Sequence, residues 1–244
     1  MLYGNIIIMN ADIIADITSI GDVKSLTLTC EKEIPAWSLA HYCRETISNG
    51  VKLTILHNMY NLLFKKYFDF AIKPHTKELN PIISGGNYSK NTDFNEKDLI
   101  RLEYFPFDFW YNIKYFVIPD VLVKVDGKWL PIYQQHYRTA IVLKEVSVES
   151  PPLFNFQGLG EVIENIRFGA DRENRNKIDW ENKQIKNSLD NSEQFIKVSK
   201  MLNDPNIPDG CKYYLKDLYL STLKKQFEVN NSIGITTKKI DIVN

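Results

Sequence analysis

The stretch 171–190 constrains the fold of this chain most, because it is densely charged and offers few side chains for burial. Its large apolar residues are Ile178, Trp180, Ile185 and Leu189. Spread over about five helical turns, they bury too little surface to form an independent core at roughly 25 cal/mol per Å². The stretch must therefore pack against the first part of the chain, a second copy or another protein. We expect these four residues to be its contact anchors.

The sequence on either side of that stretch predicts further helices. Gly158-Leu159-Gly160 precedes a helix with an apolar face, and a last helix is indicated by apolar residues at four-residue spacing. These residues are Leu215, Tyr219, Leu223 and Phe227. Residues 151–244 are therefore predicted to form a helical hairpin region with one face left for a partner.

Residues 1–150 are predicted to form an α+β domain. Residues 3–9 and 25–30 are predicted strands. A helix is expected from Pro35 to a stop at Asn49-Gly50, followed by a second, largely buried helix over 53–72. The apolar stripe of the first helix is Ala36, Leu39, Ala40, Cys43 and Ile47.

The strongest strand signal lies between residues 121 and 133. Two apolar runs flank Asp126-Gly127, the favoured two-residue hairpin turn, and another strand is predicted over 140–148. The sheet of this domain is therefore expected to be mostly antiparallel, which gives an α+β fold class.

Residues 104–116 are unusually rich in aromatic side chains. The alternate positions from 105 to 115 are all apolar, so one face of a strand accounts for most of them as core. Trp110 and Phe116 lie on the more polar face, and we expect them to contact a ligand or a partner. Base stacking is disfavoured because no cluster of Arg or Lys accompanies the rings.

The segment 74–98 contains two prolines, Gly85-Gly86 and many polar residues. It is long for a connector and shows little periodicity, which predicts an exposed loop. The alternatives are a plain surface loop and a binding loop.

The balance of charge argues against nucleic acid as a partner. Residues 1–150 hold 17 acidic and 16 basic side chains, and residues 151–244 hold 13 and 14, so neither part presents a basic field. The three cysteines, Cys30, Cys43 and Cys211, form no CxxC motif, which fits a reducing compartment. No apolar run approaches the length of a membrane span. We expect a cytoplasmic protein.

Two acidic residues near the predicted hairpin resemble the PD-(D/E)xK nuclease pattern. Pro119-Asp120 precedes the turn Asp126-Gly127-Lys128. In that family an aspartate on one strand and an acid and a lysine on the next bind a divalent metal. Here the positions on the returning strand hold Gln134 and His136. The resemblance thus implies a divergent metal-dependent nuclease using Asp120, Gln134 and His136, and a divalent cation is expected only on this interpretation.

The C-terminal third resembles uncharacterised bacterial proteins, some of which belong to conflict or antiphage systems. The resemblance rests on Val146 to Pro152, then Gly158-Leu159-Gly160, then a long helix of mixed charge. It implies an accessory or effector-associated subunit of a larger assembly and carries over no catalytic residue.

These observations favour a non-enzymatic interaction or assembly subunit of a larger bacterial complex, which would include a homo-oligomer, acting without a cofactor. The nuclease is the alternative. No G-x-S-x-G, H-E-x-x-H or phosphate-loop motif is present in the sequence to favour another enzyme class.

Overall fold

The structure is a computed structural model. It describes residues 22–30, 34–73, 96–101, 110, 120–132, 141–147, 152–170 and 193–243.

Helices and strands alternate irregularly along the described chain. The helices are α1 (Ala36–Phe64), α2 (Gly160–Ala170), α3 (Glu193–Asn203) and α4 (Asp209–Ile233), with a short 3-10 helix at Glu96–Asp98. The strands are β1 (Val23–Cys30), β2 (Phe70–Lys73), β3 (Ile100–Arg101), β4 (Asp120–Val125), β5 (Lys128–Pro131), β6 (Val142–Ser147), β7 (Leu153–Leu159) and β8 (Ile235–Val243). The α+β fold class predicted from the sequence is confirmed.

The larger sheet has the strand order β6-β7-β1-β8, and all three of its pairings are antiparallel. Side chains alternate between its two faces. Leu26 and Leu28 of β1 point to the buried face together with Phe154 and Phe156 of β7. The opposite face is polar: Asn155 accepts a hydrogen bond from Ser25 and donates one to Thr27.

The connections of this sheet follow a β-α-β-β-α-β path. Helix α1 leads from β1 towards β6, β6 and β7 are adjacent, and helices lead from β7 to β8. Strand β7 lies between the parallel strands β1 and β6, and β1 lies between the parallel strands β7 and β8. This is the ferredoxin-like arrangement of two interleaved split β-α-β units. A fold of this kind does not by itself indicate a function.

A second antiparallel sheet, with the order β3-β2-β4-β5, is inserted between α1 and β6. Its β4–β5 hairpin turns at Asp126-Gly127, where both residues have positive φ, 49° and 78°. The hairpin predicted from the sequence is confirmed. One face of this sheet holds a small apolar cluster around Trp129, whose ring lies beneath the cations of Arg101 and Lys124.

Helix α1 is continuous through the stop that Asn49-Gly50 predicts. Gly50 is a packing site: a β carbon at this position would meet the side chain of Ile141, which precedes β6. The second predicted helix is therefore the end of α1, which stops at Phe64. The prediction that it continues to residue 72 is wrong, because Phe70–Lys73 pairs with β3 and β4 as strand β2.

The C-terminal region is not wholly helical. Strand β7 and strand β8 both pair with β1 from the N-terminal part of the chain, so a boundary at residue 150 runs through one shared sheet. One continuous apolar core includes Leu28, Phe154 and Tyr219. The helices predicted around Ile163 and over the Leu215 to Phe227 spacing are confirmed as α2 and α4.

Candidate functional site

The most exposed large apolar side chain among the described residues is Trp37, with 74% of its surface accessible. It lies in the first turn of α1, which begins after Pro35 without a side-chain cap. Ala40, His41 and Arg44 are also exposed and follow at the spacings of one helical face. These four residues form a surface that we call the Trp37 face.

Contacts along the helix hold the charged end of the Trp37 face in place. Nη2 of Arg44 lies 3.2 Å from Nδ1 of His41 and 3.3 Å from Oε1 of Glu45. The guanidinium is half-exposed, whereas Glu45 is buried. Arg44 is therefore oriented on the same face as Trp37, about two helical turns later, at little further entropic cost. Trp, Tyr and Arg are the residue types most enriched among the side chains that dominate binding energy at protein interfaces.

The opposite side of α1 is buried and unusually polar. Ser38, Thr46 and Asn49 are all buried along it. Hydrogen bonds to α4 satisfy part of this face. Nδ2 of Asn49 donates to Oε1 of Gln226 at 3.0 Å, and Nε2 of Gln226 donates to Oγ1 of Thr46 at 3.3 Å. The two long helices are thus locked together by a buried polar network.

The same network continues along α4 and towards the sheet. Nε2 of Gln226 also donates to Oδ1 of Asn230 at 3.0 Å. Tyr42, one turn before Thr46, packs edge-on against Phe154 with ring centroids 5.1 Å apart. Burial raises the pKa of Tyr42, which keeps its hydroxyl protonated.

Helices α1 and α4 run antiparallel. The hydroxyl of Tyr60 donates to the carbonyl of Leu215 at 3.2 Å. The contact between Asn49 and Gln226 lies earlier on α1 and later on α4. The Trp37 face therefore lies at the opposite end of this helix pair from Phe64 and Tyr213, two other exposed aromatic residues.

Trp110, predicted to contact a ligand or a partner, lies inside the molecule. It is 3% exposed, and its Nε1 donates a 2.9 Å hydrogen bond to Oγ1 of Thr222 on α4. The prediction is corrected: the polar atom of the indole finds its partner within the same chain. Phe116 lies outside the described residues.

The four predicted interface anchors, Ile178, Trp180, Ile185 and Leu189, lie outside the described residues, as does most of the loop 74–98. The same holds for Gln134 and His136 of the nuclease hypothesis. Asp120 begins β4, and its backbone is in register with Lys73 of β2. The described residues therefore do not test these predicted sites, and they stay predictions.

Sequence reasoning did not select Trp37. The signal was present, because Trp37 falls off the predicted apolar stripe of its helix. That stripe is only partly right: Leu39, Cys43 and Ile47 pack against the core, but Ala36 and Ala40 are exposed. His57, in the middle of α1, is 2% exposed, because this part of the helix is buried on every side.

The described residues give no sign of a metal centre or a membrane span. Over these ranges, His, Cys, Asp and Glu side chains form no group of three or more that would hold a metal ion. Each described helix is too short or too polar to cross a bilayer. In comparisons with protein-family models, curated proteins and solved structures, none matched this chain.

Proposed function

We propose that the protein is a non-enzymatic interaction subunit of a larger assembly, and that it contacts a protein partner through the Trp37 face. The observation that supports this is the 74% exposure of Trp37 on the same helical face as a half-exposed Arg44. Because Trp37 is 74% exposed, covering its side chain removes about 110–185 Å² of the roughly 150–250 Å² that a Trp can bury. At roughly 25 cal/mol per Å² this is worth about 3–5 kcal/mol before the costs of association.

The rigidity of the underlying helix supports the proposal. Helix α1 is anchored by Tyr42 to the larger sheet and by Asn49 to α4. A partner would therefore meet a Trp37 face whose backbone is already ordered. Little conformational entropy would be lost on binding, which favours affinity.

The charged stretch 171–190 provides the second part of this proposal. Its anchors, Ile178, Trp180, Ile185 and Leu189, are too few for a core of their own and are expected to pack against a neighbour. Whether that neighbour is this chain, a second copy or another protein is an outcome of the test. The accessory role in a bacterial defence assembly and the cytoplasmic location belong to the same proposal.

A photo-crosslinking amino acid tests the Trp37 face directly. We expect that substitution of Trp37 by benzoylphenylalanine gives a discrete crosslinked species when the protein is irradiated in cells of its source. The same substitution at Tyr213, which is 62% exposed on α4, is the matched control and is expected to give much less. Equal crosslinking from the two positions, or none from position 37, would contradict the proposal.

Point variants test how much the Trp37 face and the stretch 171–190 each contribute to association. Trp37→Asp is expected to weaken association at least tenfold while leaving the far-ultraviolet circular dichroism unchanged, since residue 37 is exposed. Trp180→Asp together with Ile185→Asp is expected to change the solution mass or release a partner. An unchanged mass and an unchanged set of partners for both variants would argue against an interaction subunit.

A further inference from the structure

Two buried side-chain atoms, one on α1 and one on α4, have no hydrogen-bond partner among the described residues. They are Oδ1 of Asn49 and Nδ2 of Asn230. Both side chains are at most 1% exposed. A buried polar group without a partner costs about 1–3 kcal/mol, so these two atoms favour a bound molecule that satisfies both of them.

The two asparagines are held beside one another by a shared partner. The amide of Gln226 accepts from Nδ2 of Asn49 and donates to Oδ1 of Asn230, at 3.0 Å in both cases. The unused carbonyl oxygen of Asn49 and the unused amide of Asn230 therefore flank the same group. One is an acceptor and the other is a donor.

This pair of unused groups does not depend on how the amides are oriented. If all three amides rotate by 180°, Gln226 donates to Asn49 and accepts from Asn230 instead. The unused atoms are then Nδ2 of Asn49 and Oδ1 of Asn230. Either orientation leaves one donor and one acceptor unused, so the network favours a bound molecule that can both donate and accept hydrogen bonds.

Tyr42 supplies a third polar group from the same part of α1. Its hydroxyl bonds to Thr46, one helical turn later, and Thr46 also accepts from the Gln226 amide. A phenolic hydroxyl both donates and accepts, so Tyr42 can make a second hydrogen bond. The surrounding side chains include the rings of Phe154 and Phe156. A charged guest would lose its hydration next to these rings without gaining a counter-charge from the three groups.

We propose that one internal water molecule lies between α1 and α4, bridging the side chains of Asn49 and Asn230 and bonding to the hydroxyl of Tyr42. Three hydrogen bonds are typical of a buried structural water. Such a water completes the network that locks the two long helices, and it is part of the fold rather than of the solvent.

A crystal structure of the full chain is the direct test. We expect one density peak within about 3.2 Å of the side-chain amides of both Asn49 and Asn230. A direct hydrogen bond between the two asparagines with no ordered water, or a molecule larger than water in that position, would overturn the proposal.

Oxygen-17 magnetic relaxation of water provides a second test in solution, because it counts long-lived internal waters. Asn230→Leu is expected to remove one such water, and Tyr42→Phe to keep it with a shorter residence time. The control is Asn165→Leu with Tyr219→Phe, which removes a buried 2.9 Å hydrogen bond made within the chain. The control is expected to keep the wild-type count, and the same count in Asn230→Leu would overturn the proposal.

Discussion

The side chain of Ile141 occupies the space beside Gly50 that a β carbon would fill. Gly50 lies in the buried middle of α1, and Ile141 leads into β6 of the larger sheet. This contact fixes how closely the long helix approaches the segment before β6. The glycine is therefore required for packing and not for helix termination.

Gly50→Ala is expected to destabilise the protein by about 1–3 kcal/mol, because the new methyl group overpacks the contact with Ile141. In an ordinary helix the same change would stabilise by about 1 kcal/mol. Ile141→Val in the Gly50→Ala background removes the nearest methyl group and is expected to recover most of the loss. Urea unfolding measures each value.

Gly210→Ala provides the control for this prediction. Gly210 lies in the first turn of α4, and a β carbon there would meet no atom within 4 Å. We expect this variant to be neutral or slightly stabilised. The interpretation of Gly50 would be wrong if both glycine variants gained stability equally.

Gln226→Leu is expected to destabilise the protein by about 3 kcal/mol or more. Gln226 is fully buried, and its removal leaves the side chains of Thr46, Asn49 and Asn230 without their shared partner. Each buried polar group that loses its partner costs about 1–3 kcal/mol. Chemical denaturation checks the value. The control is Glu228→Ala, at an exposed position of the same helix, which should change the free energy of unfolding by less than about 0.5 kcal/mol. A similar loss of stability in both variants would contradict the prediction.

Local signals predicted those parts of the fold that depend on near neighbours in the sequence. Asp126-Gly127 predicted its hairpin because a turn needs only adjacent residues. The four-residue spacing from Leu215 to Phe227 predicted α4 for the same reason. By contrast, the local pattern could not distinguish a glycine that ends a helix from one that accommodates Ile141, which is 91 positions away.

The remaining differences come from pairings between distant segments. Strand β7 was missed because its partner β1 lies more than a hundred residues earlier, and nothing in its own sequence states that pairing. The polar side of α1 was not expected to be buried, because its partner Gln226 belongs to another helix. Trp37 was missed because exposure is a property of the assembled molecule and not of a helical pattern.

Lys24→Met is expected to raise the pKa of Glu164 and to reduce the loss of stability that occurs as the pH falls into the acid range. Partial burial opposes ionisation of Glu164, but hydrogen bonds from Lys24 at 2.9 Å and Arg167 at 2.6 Å outweigh it and hold its pKa below the ordinary value. A carboxyl with a lowered folded pKa stabilises the protein above its unfolded pKa, and this contribution is lost as the pH falls through the folded pKa.

Carboxyl titration by nuclear magnetic resonance measures that pKa, and unfolding at pH 7 and pH 3 measures the linked stability. Because both partners are partly exposed, the contribution is expected to be below about 1 kcal/mol. Lys225→Met, which breaks a more exposed 3.8 Å pair with Glu228, is the control and should change the acid dependence less. An unchanged pKa of Glu164 in Lys24→Met would count against the ion pair.

Alkaline pH is expected to destabilise the protein from about pH 9 upwards, because burial keeps two thiols protonated. Burial raises the pKa of Cys30 to about 11, with a further contribution from the neighbouring Cys43 thiol, and it raises the pKa of Cys43 to about 11 as well. Between the unfolded value near 9 and the folded value, the unfolded chain has released protons that the folded chain still holds. Stability therefore falls as the pH rises through this window. The free energy of unfolding, measured between pH 7 and pH 11, gives the slope of this decrease. Cys43→Ser should make that slope shallower. A flat profile over this range, or rapid alkylation of both thiols in the folded protein at pH 7.5, would show that the two side chains are not buried as the structure places them.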